Sequence, residues 1–133
     1  MDKDELFWSH QTTLVSDGSS ARGARAFVRQ HLLDHQQPGL VEDVRSVASE
    51  LAELVIAQQG HSSFTVSLRG GGGEVLLLVQ DGFSEGTVEG LLGTGVSVPG
   101  DPQLFITERL SERWGIARTA PTGAVVWASF AAK

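Results

Sequence analysis

The chain has 133 residues, enough for one domain with a core of its own, spanning 1–133. Hydrophobic residues make up 41% and charged residues 20%, which excludes the composition of a disordered chain. A net charge of -6 argues against a phosphate-backbone surface and so against nucleic acid as a partner, and zero cysteines exclude disulfides, thiolate metal sites and a cysteine nucleophile.

The opening Met1-Asp2-Lys3-Asp4-Glu5 is charged and leads into no apolar run of signal-peptide length. No stretch of about 18 successive apolar residues occurs anywhere. The expectation is a soluble cytoplasmic protein with no membrane partner. Leu6 to Val15 is rich in β-prone residues and stops at Ser16-Asp17-Gly18, which predicts a strand at a sheet edge. From Ser19 or Ser20 as N-cap, Ala24, Phe27, Val28, Leu32 and Leu33 recur at helical spacing until Gln36-Gln37-Pro38-Gly39.

A second helix is predicted over Leu40 to Gln59. Val44, Val47, Ala48, Leu51, Leu54 and Val55 form its inward stripe, and Gly60 stands at C′. Phe64, Val66 and Leu68 alternate with polar residues, Gly70 to Gly73 supplies a turn, and Glu74 to Gln80 reads as a buried strand, so this segment is a β-hairpin. Asp81 to Pro102 is a long glycine-rich loop. A third helix is predicted from Asp101, as cap, to Arg113, with Leu104, Phe105 and Leu110 inward. Trp114 to Arg118 and Ala124 to Ala131 close the chain as a second hairpin. The order β-α-α-β-β-loop-α-β-β predicts an α+β two-layer sandwich, with helices on one face of a mixed, mostly antiparallel sheet.

Three segments carry more than packing: Glu50-Leu51-Ala52-Glu53-Leu54, Val79-Gln80-Asp81-Gly82 and Arg109 to Gly115. In this order and separation they resemble the histidine-kinase-like ATPase domains of anti-sigma regulatory factors, the serine kinases of bacterial partner-switching systems. The resemblance runs from the first helix to the last strand and implies that fold, with ATP and magnesium as cofactors and a sigma factor or an anti-sigma-antagonist protein as partner. It also implies a homodimer.

In the family a helix carries Glu-Leu-x-x-Asn, the Glu activating a water or hydroxyl and the Asn binding magnesium. Glu50 is therefore the catalytic candidate. Leu54, on the same helix face one turn later, stands where the Asn belongs and offers a hard cation no oxygen. Asp81 falls at the family's adenine-reading Asp, with Gly82 beside it. The family's phosphate-cradling Gly-x-Gly at the start of the third helix falls on Asp101 and Gln103; the nearby alternative is Gly93-Thr94-Gly95, with an insertion before the helix. The cofactor-binding candidates are thus Asp81, Gly82, Gly93 and Gly95, and no protein side chain is assigned as a metal ligand.

Read without the resemblance, Glu50 is an exposed helix residue, Leu54 a core residue, Asp81-Gly82 a turn pair and Trp114 sheet packing. His31 and His35, at i and i+4, suggest no third metal ligand and read as solvated; His10 and His61 read as isolated. No nucleophile elbow supports a serine hydrolase. Two functions stay open: an anti-sigma-like docking protein with weakened or lost ATP binding, and an active ATP-dependent serine kinase that phosphorylates an antagonist.

Overall fold

The computed structural model describes residues 7–58, 63–81, 104–119 and 123–132. The chain runs through β1 (Trp8–Val15), α1 (Ser20–Asp34), a 3-10 turn (Pro38–Leu40) and α2 (Val41–Gln58). It continues through β2 (Ser63–Gly71), β3 (Glu74–Asp81), α3 (Phe105–Leu110), β4 (Arg113–Thr119) and β5 (Gly123–Ala131). Among the described residues the order of elements is the expected one; the predicted loop from Asp81 to Pro102 lies, beyond Asp81, outside them. The strands form one sheet in the order β1-β2-β3-β5-β4, and every ladder among the described residues is antiparallel.

Side chains alternate across a strand, so one set of apolar positions collects on the face that the helices cover. Phe64, Val66 and Leu68 of β2, Val75, Leu77 and Val79 of β3, and Val126, Ala128 and Phe130 of β5 are all buried in the main core. Register lines them up in rows, with Val66 opposite Val79 and Val79 opposite Val126. α2 lays Val44, Val47, Ala48, Leu51, Leu54 and Val55 on this face, every one buried as its periodicity predicts. α1 adds Ala24, Val28 and Leu32, and Arg25 ties the two helices by donating to Ser49 Oγ at 2.9 Å. Trp114 joins the core from β4.

Two apolar residues read as inward are not. Leu33 is 41% exposed and Phe105 61% exposed, whereas Leu104 and Thr107 are fully buried. α3 is only one and a half turns long, too short for a periodic stripe to reveal its phase. The predicted capping residue Asp101 lies outside the described residues, as does Gly60.

The ends of α1 are built by residues whose types do not announce them. Ser19 makes no capping bond; instead its N–H and Oγ donate to the Asp17 carboxylate at 2.8 and 2.6 Å, which holds that carboxyl below its usual range. At the other end Gln36 takes a left-handed conformation, φ 60°, and the Gln37 and Gln36 N–H groups donate to Leu32 O and Leu33 O at 2.8 and 3.1 Å. This is a Schellman closure with glutamine where glycine is usual, and it leaves His35 as the C-cap.

Gly70 and Gly71 extend β2 rather than the turn, which is confined to Gly72 and Gly73 at φ 63° and 79°, the two left-handed positions of a type I′ hairpin. Gly70 is needed for space: a Cβ there would collide with the indole of Trp8, its cross-strand partner on β1. On the opposite face of the sheet Trp127 lies over Gly115 in the same way, 2.9 Å from where a Cβ would stand.

Two substitutions test this reading by urea unfolding. Gly70→Ala displaces a packed indole and is expected to destabilise the domain by about 2 kcal/mol. Gln36→Gly removes the left-handed penalty of a side chain and is expected to stabilise it by about 1 kcal/mol.

Candidate functional site

The candidate site centres on Glu50, which stands at the edge of the buried stripe of α2, half-buried. Its neighbour is the start of α3. The residue preceding that helix is Leu104, which has no side-chain acceptor to offer the helix's first N–H groups. Glu50 supplies it from elsewhere in the chain. Thr107 N–H and Thr107 Oγ1 both donate to Glu50 Oε1 at 2.7 Å, and Ile106 N–H donates to Oε2 at 3.2 Å. These are the second and third N–H groups of the helix, the ones an N-cap side chain normally satisfies.

A carboxylate at a helix N-terminus is doubly favoured, by charge-assisted hydrogen bonds and by the positive end of the helix dipole. The network continues through Thr107 O, which accepts from Ser111 Oγ at 2.6 Å and Ser111 N–H at 3.1 Å. Glu112 N–H then donates to Ser129 O at 2.7 Å, fastening the end of α3 to β5.

Leu54, one turn beyond Glu50, is 4% exposed and belongs to the main core. Glu53 is exposed. Asp81 is the last residue of β3, opposite Phe64 on β2. Gly82, Gly93 and Gly95 lie outside the described residues, as do Asp101 and Gln103. The structure therefore brings Glu50 together with α3. Among the described residues no group of three or more His, Asp or Glu side chains is arranged to hold a metal ion. No helix among them is long and apolar enough to cross a membrane.

No family model matches the chain, and no curated protein matches it by sequence. A solved structure does: the RsbU and RsbW domains of Rv1364c from Mycobacterium tuberculosis superpose with a TM-score of 0.65 at 19% identity. The match covers 94% of this chain and 32% of that one, so this chain spans about a third of its neighbour's length. The fold is the RsbW-like ATPase fold.

Within the RsbW-like fold, sequence reasoning missed two side-chain assemblies. One is the Glu50 cap, whose partners lie 57 residues away in sequence. Its one local signal is the absence of any capping residue at position 104. The other corrects the reading of His31 and His35 as solvated and His10 as isolated, His61 lying outside the described residues: His10 of β1 stacks on His31 with ring centroids 3.9 Å apart, and its Nε2 lies 2.9 Å from His35 Nε2. Trp8 stacks on His35 at 4.0 Å, and Phe27 meets His31 edge-on at 4.7 Å. Burial, followed by the nearness of His10, holds His31 and His35 below the ordinary imidazole value.

If Glu50 holds α3, Glu50→Ala should cost about 2 kcal/mol and raise amide exchange at Ile106 and Thr107 selectively. Glu50→Gln keeps an acceptor oxygen and should cost about half as much. Equal exchange at these amides in all three proteins would refute the cap.

Proposed function

We propose that this chain is a docking regulator of the anti-sigma, partner-switching type, in which ATP binding is weakened or lost. It would work in the cytoplasm by binding a sigma factor or an anti-sigma-antagonist domain. What supports the regulatory class is the RsbW-like fold together with the resemblance carried by Glu50-Leu51, Asp81 and the final helix-strand segment.

The observation that carries the weakened-nucleotide part is the Glu50 carboxylate on the first N–H groups of α3. The resemblance assigns phosphate contacts to the start of this helix. Here the Glu50 carboxylate already occupies the Ile106 and Thr107 N–H groups, and a phosphate drawn to this helix start would meet like-charge repulsion from it. Leu54 supports the same reading from one turn away. A buried leucine cannot replace a magnesium-binding amide, because a hard cation takes oxygen ligands. Docking needs neither ligand.

The test is calorimetric titration of the whole chain with ATP and magnesium, followed by size-exclusion chromatography with a purified sigma factor and with an antagonist domain. The expected result is no heat of binding at millimolar ATP and a co-eluting complex with one of the two proteins. Micromolar ATP binding abolished by Asp81→Ala would overturn the reading in favour of an active serine kinase with Glu50 as its base.

A further inference from the structure

Three imidazoles and an indole fill the seam between the edge strand β1 and the last turn of α1. They arrive there by two periodicities. Trp8 and His10 share the inward face of β1, and His31 and His35 share one face of α1 at i and i+4. The rings form a continuous pile, Trp8 on His35 with their planes 3° apart and His10 on His31 with planes 14° apart, joined by the His10–His35 contact at 2.9 Å between Nε2 atoms.

That contact has a proton limit. A hydrogen bond between two Nε2 atoms requires one N–H and one lone pair, so the two rings hold complementary tautomers. A first added proton can go to the outer nitrogen of the donor ring and leave the bond in place. A second must occupy the accepting nitrogen, which sets two N–H groups against each other and two like charges in contact. His31 cannot relieve the pair. It stacks on His10, and its Nδ1 is buried without a hydrogen-bond partner, so an imidazolium there would carry an unsatisfied donor.

The charged and titratable surroundings come from each packed element. On α1, Asp34 favours the charged form of both His31 and His35, and the negative end of the helix dipole at the C-cap acts on His35 in the same sense. β1 contributes His10, which acts against charge on both. β2 places Leu68 opposite His10, while Arg69 beside it projects from the other face of the sheet. Desolvation is the largest influence on His31 and His35, and the net direction is towards the neutral form.

We infer that Trp8, His10, His31 and His35 form a proton-operated latch, which holds β1 on α1 while the imidazoles are neutral and releases the strand when the pile takes up more than one proton. The sign follows from linkage. Unfolded imidazoles bind protons below about pH 6.5, whereas folded His31 and His35 bind them only at lower pH. The latch's stabilisation is therefore complete above about 6.5 and falls as acid takes the pH down to the lowered values. Among the described residues β1 pairs only with β2, so its release would leave β2 as their sheet edge, with its N–H and C=O groups free for another strand. The latch stands independently of the docking proposal.

The experiment is NMR on the whole chain from about pH 8 to about pH 5, following the His31 and His35 ring resonances, assigned with H31Q and H35Q, and amide exchange in β1 and β3. Both rings should titrate below about 6.5. In the same window β1 amides, corrected for intrinsic exchange, should lose protection by up to about tenfold per pH unit for each proton bound, while β3 amides stay protected. In H35Q, which cannot titrate, this loss should flatten. Titration of both rings at the ordinary value, constant β1 protection through the titration, or loss of β1 and β3 protection together would each overturn the latch; these readings come from the unmodified chain and do not depend on the variant folding.

Discussion

The burial of one stripe of α2 against one face of the sheet is the constraint from which the rest follows. Val44, Val47, Ala48, Leu51, Leu54 and Val55 leave water together with the inward residues of β2, β3 and β5. At roughly 1.5 to 3 kcal/mol for each large side chain, this contact outweighs any single polar interaction in the molecule. It fixes the rotation of α2 about its axis. Once that rotation is set, position 54 must lie in the core and position 50 must lie at its margin, facing α3. An amide at 54 would need a partner or a bound cation to offset its desolvation, about 1 to 3 kcal/mol, whereas leucine contributes there without one.

α3 is the element most dependent on this arrangement. Six residues do not form a stable helix alone, and Leu104 gives it no local cap. Its start is held by a carboxylate from α2 and its end by the Glu112–Ser129 backbone bond to β5. The helix is thus a strut between the helical layer and the sheet, with its placement written into residues far from it in sequence.

This separates what the sequence makes legible from what it does not. Alternation in Phe64 to Leu68 and the 3.6-residue repeat in α2 are local patterns, and they were sufficient for the element order, the hairpins and the core stripe. Leu33 and Phe105 fit the apolar pattern yet stand exposed, because a periodic apolar residue at the end of an element has no neighbour beyond it to cover it. Gln36 could not be recognised as a left-handed helix stop because glutamine carries no preference for that conformation. The histidine pile joins residues 25 apart and the Glu50 cap residues 57 apart, and in neither case does a residue's own neighbourhood encode its partner. Gly70 looked like turn material because its reason for being glycine, the indole of Trp8, sits on another strand.

The same distinction explains how a backbone can match at a TM-score of 0.65 while only 19% of residues are identical. Apolar faces are satisfied by many combinations of valine, leucine, isoleucine and phenylalanine as long as volume and pattern persist. A nucleotide site of the kind the resemblance implies is not, since it would need an oxygen ligand at one turn of α2 and donors near the start of α3, placed to a fraction of an ångström. Leu54 and the Glu50 cap are compatible with the first requirement of the fold and poorly suited to the second requirement of the site. A docking surface asks only that the layers stay in register, which the apolar stripe and the α3 strut secure. Under the docking proposal, partner binding therefore demands fewer conditions of this chain than phosphoryl transfer would.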